Sequence, residues 1–280
     1  MTAVAITGAS GFIGSHLSSV LRAKGNRVKA LGRRPGASDL EGAGAVIHLA
    51  GEPIAGRWTA RKKHAIADSR VEGTRHLVGA LSGSAERPAV FLCASAVGYY
   101  GSRGDEPLAE SAAPGDDFLA RVCVEWEAAA RDAERLGIRT VMLRFGIVLG
   151  DGGALAKMKV PFLFGLGGPM GAGKQFLPWI HVDDLAALCA FVLERTEVAG
   201  PLNVVAPDYV TNAQFSHALG AALRRPSFLP VPAFALRTLL GEFAETLLGS
   251  QLVIPQAAQN AGFTWSHPKL DSALRSILTR

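Results

Sequence analysis

The sequence predicts an α/β fold: a doubly wound parallel sheet without its outer third strand, and beside it a smaller, mostly helical C-terminal region. Three observations predict it. An apolar run, Val4-Ala5-Ile6, passes through a glycine-rich turn into a helical pattern. Apolar, strand-like runs then alternate with helix-period segments as far as residue 205, as in parallel strands joined by crossover helices. From Thr211 onward the strands stop and helices follow one another.

The first turn reads Thr7-Gly8-Ala9-Ser10-Gly11-Phe12-Ile13-Gly14. Its spacing, Gly-x-x-Gly-x-x-Gly, differs from the commoner Gly-x-Gly-x-x-Gly, but its strand-turn-helix-strand context is that of a dinucleotide site. One glycine permits the sharp turn, a second lets backbone N–H groups approach a pyrophosphate, and a third lets the helix lie close on the sheet. The helix N-terminus favours an anion through unpaired N–H groups and a partial positive charge. Leu17, Val20 and Leu21 give the helix an apolar face, Gly25-Asn26 closes it, and a strand follows over Val28 to Leu31. Thr7, Gly8, Ser10, Gly11, Phe12, Ile13 and Gly14 are the candidate cofactor contacts here.

Gly32-Arg33-Arg34-Pro35 comes next, where an acidic residue would hold the ribose 2′-hydroxyl of NAD. Two guanidiniums in that place favour a 2′-phosphate, and so NADP(H), held by Arg33 or Arg34. Pro35 to Gly44 is only ten residues. A crossover between parallel strands takes about a dozen or more. The outer strand is therefore expected to be absent, with a helical turn at Asp39 to Gly42.

The strand Ala45 to Leu49 runs into Ala50-Gly51-Glu52-Pro53, which makes Leu49, Ala50 and Gly51 further cofactor candidates and His48 a packed strand residue. A long helix follows from about Thr59 to Leu81, with Arg70 near its middle. The strand Ala89 to Cys93 ends in Ser95-Ala96-Val97-Gly98-Tyr99-Tyr100-Gly101, where Ser95 and a tyrosine, Tyr99 or Tyr100, are candidate proton-handling groups. Asp116 or Asp117 caps a helix that carries Cys123, Trp126 and Glu127 and runs to Gly137. After the strand Thr140 to Leu143, Arg144 and Gly146 lie at the carboxyl edge as cofactor candidates.

The glycine-rich stretch Gly152 to Lys174 contains a short helix around Leu155 to Met158. Trp179-Ile180-His181-Val182-Asp183-Asp184 leads into a helix over Leu185 to Glu194, with Asp183 and Asp184 as caps, and the last sheet strand is Leu202 to Val205. Thr211 and Gln214 form a capping box for a helix through Leu223. Pro226, Pro230 and Pro232 stiffen a connector, a helix spans Ala233 to Leu248, and Pro268 begins a final helix to Leu278. The expected division is 1–150 with 176–205 for the dinucleotide, and 151–175 with 206–280 as a substrate-side cap.

Composition excludes several classes. Of 280 residues, 49% are hydrophobic and 19% charged, as in an ordinary soluble protein. No apolar run is long enough to span a bilayer, and a strand begins too early for a secretory signal, so a cytoplasmic protein is expected. The net charge of +5 is too modest to indicate nucleic acid. Its densest part, Arg57, Arg61, Lys62, Lys63 and His64, reads as a solvated helix face. Cys93, Cys123 and Cys189 have neither disulfide nor metal-ligand spacing; no metal is expected. A homodimer is left open.

With these motifs, the chain resembles the extended short-chain dehydrogenase and nucleotide-sugar epimerase superfamily. More narrowly, it resembles the superfamily's atypical, epimerase-like family of uncertain function, including that family's C-terminal domain. The resemblance is carried by Leu49-Ala50-Gly51-Glu52-Pro53-Ile54, Ser69-Arg70, Gly98-Tyr99-Tyr100-Gly101, Gly165-Leu166-Gly167-Gly168-Pro169, Trp179 to Leu185, Val210-Thr211-Asn212 and Ala261-Gly262-Phe263. It implies a Rossmann-like domain and an NADP-type cofactor. In active relatives a Tyr and a Lys four residues apart act with an upstream Ser. The corresponding positions here look like Leu119 and Cys123, with Glu127 keeping a following acidic position and Ser95 or Ala96 at the serine. Arg70 stands where typical members have Asn, and both changes are usual in the narrower family. The shortened link removes a strand that the family normally has beside the adenine, so weaker cofactor binding is expected.

Two functions follow. One is an NADP(H)-dependent epimerase- or oxidoreductase-like enzyme for a small hydroxylated or carbonyl substrate, with Ser95, Tyr99, Tyr100 or Cys123 as acid and base and Glu52, Arg70, Lys174, Trp179 and His181 on the substrate side. The other is a non-catalytic NADP-binding regulatory protein, similar to relatives described as cell-division-inhibitor-like.

Overall fold

The computed structural model describes residues 2–279. Strand β1 (Ala3–Thr7) leads through the glycine turn into α1 (Phe12–Ala23) and β2 (Arg27–Leu31). Then come β3 (Ala45–His48), α2 (Ala60–Ser82), β4 (Val90–Ala96), the short β5 (Pro107–Leu108), α3 (Phe118–Arg131), β6 (Arg139–Phe145) and β7 (Ile147–Leu149). The chain continues through α4 (Gly153–Leu163), β8 (Trp179–His181), α5 (Val182–Glu194), β9 (Gly200–Val204) and α6 (Asn212–Leu223). It ends with α7 (Ala233–Leu240), α8 (Phe243–Leu248), β10 (Leu252–Val253), α9 (Gln256–Asn260) and α10 (Leu270–Leu278).

Six strands form a parallel sheet in the order β2-β1-β3-β4-β6-β9. The strands read as near-continuous apolar runs because both faces are covered. Val4 and Ile6 pack with Leu17, Leu21, Leu185 and Leu188 of α1 and α5, while Ala5 and Val46 pack with Leu77, Leu81 and Trp126 of α2 and α3. The order reverses direction between β1 and β3. Ligands bind in the crevice at such a switch point, beyond the carboxyl ends of the strands. Thr7 lies there, opposite Leu31 on one side and His48 on the other.

As expected, β2 is the sheet edge among the described residues, and a 3-10 turn at Ala37–Leu40 replaces the missing unit. Several boundaries differ from the sequence reading. Helix α3 stops at Arg131, and a 3-10 turn carries the chain to left-handed Gly137. Helix α4 is longer than expected. The expected helix from Ala233 to Leu248 is two helices, because Gly241 adopts φ +60°, which breaks the helical run. Asp183 and Asp184 are not the cap of α5. His181 Nδ1 accepts the Asp183 N–H, so the helix starts at Val182, while the Asp184 carboxylate accepts the Ser266 and His267 N–H groups.

Beyond the sheet, α6 and α10 pack with α4 and the β7–β8 pair through Leu149, Leu155, Trp179, Phe215 and Leu274. No described helix is long and apolar enough to cross a membrane.

Candidate functional site

The crevice floor is the glycine turn. Gly8 has φ +70°, and a Cβ there would sit 2.9 Å from the Ala50 nitrogen. A Cβ on Gly14 would collide with the Gly8 carbonyl oxygen and lie 2.8 Å from Ala9 Cα, so α1 lies against the turn only because Gly14 has no side chain. Ser10 and Gly11 are exposed, and no side chain caps α1 at Gly11. The first N–H groups of the helix are thus left for an anion. The Phe12 side chain turns away to pack on a second glycine turn: a Cβ at Gly150, Gly152 or Gly153 would come within 2.7 to 2.8 Å of its ring.

Thr7 ties the ends of β1 and β3 together. Its hydroxyl oxygen accepts the Leu49 and Ala50 N–H groups at 3.2 and 3.4 Å, and it lies 2.6 Å from His48 Nδ1. With both acceptor positions engaged, the Thr7 proton goes to Nδ1 and His48 is neutral. Burial pulls the His48 imidazole down to about 4. His48 is a packed strand residue that holds the Leu49-Ala50-Gly51 loop.

Arg70 braces that loop from below. Its Nη1 donates to the Glu52 and Ile66 carbonyls, and its guanidinium lies 5.1 Å from the Trp126 ring centre. Glu52 pairs with Lys62 at 2.7 Å, a bond that holds its carboxyl below the usual range. Lys63 pairs with Glu242, so part of the basic run at the start of α2 is engaged, while Arg57, Arg61 and His64 face solvent as expected. Arg33 and Arg34 are exposed just past β2, beside the crevice.

The strand-end turn is built differently from the sequence expectation. Ser95 donates to Glu127 Oε1 at 2.7 Å. Glu127 also receives Arg144 Nε and Nη2, both at 2.8 Å, and Arg144 Nη1 donates to the Tyr100 hydroxyl, which donates to Asn203 Oδ1 at 2.7 Å. All five side chains are buried. Burial opposes charge on Arg144, but its bonds to Glu127 outweigh it and raise the guanidinium above its ordinary value. Arg144 is buried, with its guanidinium engaged by Glu127 and Tyr100. Gly146 is glycine for packing, since a Cβ would meet the Pro178 carbonyl at 2.7 Å.

The proton-handling candidates separate on this geometry. The Ser95 hydroxyl is engaged as a hydrogen-bond donor to the Glu127 carboxylate. Burial pushes the Tyr100 hydroxyl and the Cys123 thiol up to about 12. Tyr99 is only partly buried, and its ring lies 3.5 Å from the Arg144 guanidinium. Beside this turn, a cleft of about 320 Å³ opens between Gly98, Gly101 and Leu119 on one side and Glu242, Glu245 and Gly249 of the C-terminal region on the other. Trp58 and Phe118, which pack edge to face, form its aromatic wall.

Three substrate-side candidates lie elsewhere. Trp179 is wholly buried and donates to the Asp208 carbonyl, because β8 packs against α6 and α10. Lys174 is exposed on the loop before β8. His181 lines a separate cavity with Phe12, His16 and Asp183. Sequence reasoning missed the Glu127–Arg144–Tyr100–Asn203 chain. Its one signal was four polar residues in otherwise apolar elements.

Comparison with known proteins places this geometry. Residues 4–205 match the NAD dependent epimerase/dehydratase family, and residues 231–277 match a domain of unknown function, DUF1731. The chain is similar to the mouse epimerase family protein SDR39U1, 40% identical over 291 residues that cover 98% of this chain and 99% of the relative. It is 36% identical to the epimerase family protein YfhF of Bacillus subtilis, over 98% of this chain and 97% of that one. The crystal structure of human SDR39U1, isoform 2, with NADPH superposes with a TM-score of 0.93 at 37% identity and covers 99% of both chains.

Proposed function

The chain belongs to the NAD dependent epimerase/dehydratase family, and from that premise we propose that it binds NADP(H) and acts as an epimerase- or oxidoreductase-like enzyme on a small hydroxylated or carbonyl substrate. The observation that carries this reading is the open glycine cradle at the switch point, with Gly14 fitted under Gly8 and the α1 N-terminus uncapped. The residues fit the cofactor. N–H groups of the turn and of α1 would hold the pyrophosphate, Leu49, Ala50 and Gly51 would border the adenosine, and Arg33 or Arg34 would take the 2′-phosphate. The similar human protein carries NADPH.

Bound there, the nicotinamide would supply hydride transfer. The chain's own part is to position the substrate and move a proton. The cleft between the strand-end turn and α8 is the substrate site of this reading, with residues 151–175 and 206–280 forming the cap. Tyr99, on the strand-end turn beside the cleft, is the proton-handling group of this reading, because Ser95 and Tyr100 are hydrogen-bonded inside the fold and Cys123 is buried. Leu119 lines the cleft at the place that corresponds to the tyrosine of active relatives, so the usual Tyr-Lys pair is lacking. In this reading the protein is cytoplasmic and binds neither nucleic acid nor membrane.

The Ser95–Glu127 bond and the buried Cys123 thiol favour a second reading, a non-catalytic NADP-binding regulatory protein. NADPH oxidation in the presence of a panel of small aldehydes, ketones and keto-sugars decides between them. Turnover abolished by Tyr99→Phe and kept by Cys123→Ser supports the enzyme. Tight NADPH binding without turnover of any carbonyl supports the regulator.

A further inference from the structure

Where α1 meets the start of α5, three imidazoles gather around one carboxylate. Asp183 Oδ2 lies 3.6 Å from His181 Nδ1 and 3.9 Å from His267 Nε2, and all three ligand atoms are within 4.8 Å of one another. Neither distance to Asp183 is a hydrogen bond, which would bring nitrogen and oxygen to about 2.7 to 3.2 Å. Both are close to the spacing of ligands around one metal ion. With metal–nitrogen and metal–oxygen distances near 2.0 to 2.1 Å, adjacent ligands of a tetrahedral site lie ~3.4 Å apart.

We infer that His181, Asp183 and His267 form a binding site for a divalent transition metal, with zinc the best match to two imidazoles and a carboxylate. The surroundings are those of a metal site. His181 Nε2 is 3.3 Å from Ser276 Oγ, a partner that puts the ring proton on Nε2 and the lone pair on Nδ1. That lone pair now accepts the Asp183 N–H at 3.1 Å; the ion takes it over on binding. His16 Nε2 sits 2.7 Å from Asp183 Oδ1, outside the ligand set and without hydrogen-bond geometry, as a neighbour of the carboxylate. The His267 ring is stacked on His181 with centroids 3.9 Å apart and has to turn out of that stack to aim Nε2 at a shared ion, while its backbone N–H stays fixed by Asp184.

The fourth position opens on a cavity of about 300 Å³ lined by Ser15, His16, Asp151, His181 and Asp183. Three protein ligands with one open position match a zinc site that keeps a water or small ligand. The ion would clasp the start of α5 to the segment entering α10, and so tie the C-terminal region to the sheet.

The test uses untagged full-length protein, stripped of metal and titrated with Zn²⁺ by calorimetry and with Co²⁺ by visible absorption. The site predicts one equivalent per chain and the intense d–d bands of tetrahedral Co²⁺. It also predicts at least about tenfold weaker binding in His267→Ala and in Asp183→Asn. His267 is partly exposed, so its variant tests the ligand without emptying a core position. His64→Ala, an exposed histidine elsewhere, leaves binding unchanged. No saturable uptake, or uptake equally tight in His267→Ala and Asp183→Asn, overturns the inference.

Discussion

Glu127 and Arg144 meet in a bidentate ion pair, with both nitrogens 2.8 Å from the carboxylate oxygens and both side chains out of contact with solvent. The pair joins α3 to β6 and takes up the Ser95 hydroxyl, so the strand-end turn is held from beneath by charge. Glu127→Gln leaves a buried guanidinium without its counter-ion, at a cost of about 3 to 5 kcal/mol. Replacing both, as Glu127→Gln with Arg144→Met, costs less than the two single changes together. Urea denaturation of the four proteins measures the coupling.

His48 gives the protein an acid limb. Its folded value, about 4, lies below the ordinary 6.5, so between those pH values the unfolded chain binds the extra proton. The stability owed to neutral His48 is complete above about pH 6.5 and is lost as pH falls through 4. The loss amounts to about 3 kcal/mol. His48→Asn can still accept the Thr7 proton and does not titrate. Denaturation curves at pH 7 and pH 4.5 should separate less for this variant than for the parent.

The cysteines should be silent in the native state. Burial raises each thiol to about 12, and all three are buried. Ellman's reagent at pH 8 is expected to find essentially no thiol in the folded protein and all three in denaturant. Rapid labelling of Cys123 in the folded state would return it to the list of acids and bases.

Gly14→Ala tests the cradle. The added methyl presses on the Gly8 carbonyl and Ala9 Cα, which forces α1 off the turn. Overpacking of this kind costs about 1 to 3 kcal/mol. NADPH affinity should fall about tenfold or more, ~1.4 kcal/mol, in a protein that keeps its helix content by circular dichroism. Ala9→Gly, in the same turn, should leave affinity near the parent's.

Much of the fold was legible because its strands are buried on both faces: runs such as Val4 to Ile6 and Ala45 to Ile47 are apolar without interruption, and α1 and α3 between them carry one-sided apolar patterns. The ten-residue link after Arg34 was legible for a different reason, since chain length alone forbids another crossover. The site was legible where chemistry is local, as in the glycine turn and the paired arginines. It was not legible where partners come from distant elements. Ser95 finds Glu127 only because β4 and α3 pack together, Phe12 meets Gly150 to Gly153 across the crevice, and His267 reaches Asp183 only through the return of the C-terminal chain to α5. The split at Gly241 was missed because a glycine inside an apolar helical pattern is read as tolerated until its φ is known.

The most direct measurement is a calorimetric titration of the protein with NADPH and with NADH, repeated on Arg33→Ala and Arg34→Ala. NADPH should bind tighter than NADH by about tenfold or more, ~1.4 kcal/mol, and one of the arginine changes should erase the difference while leaving NADH binding as it was. Failure of either nucleotide to bind, or equal affinity for both in the parent protein, would contradict the assignment of this crevice to NADP(H).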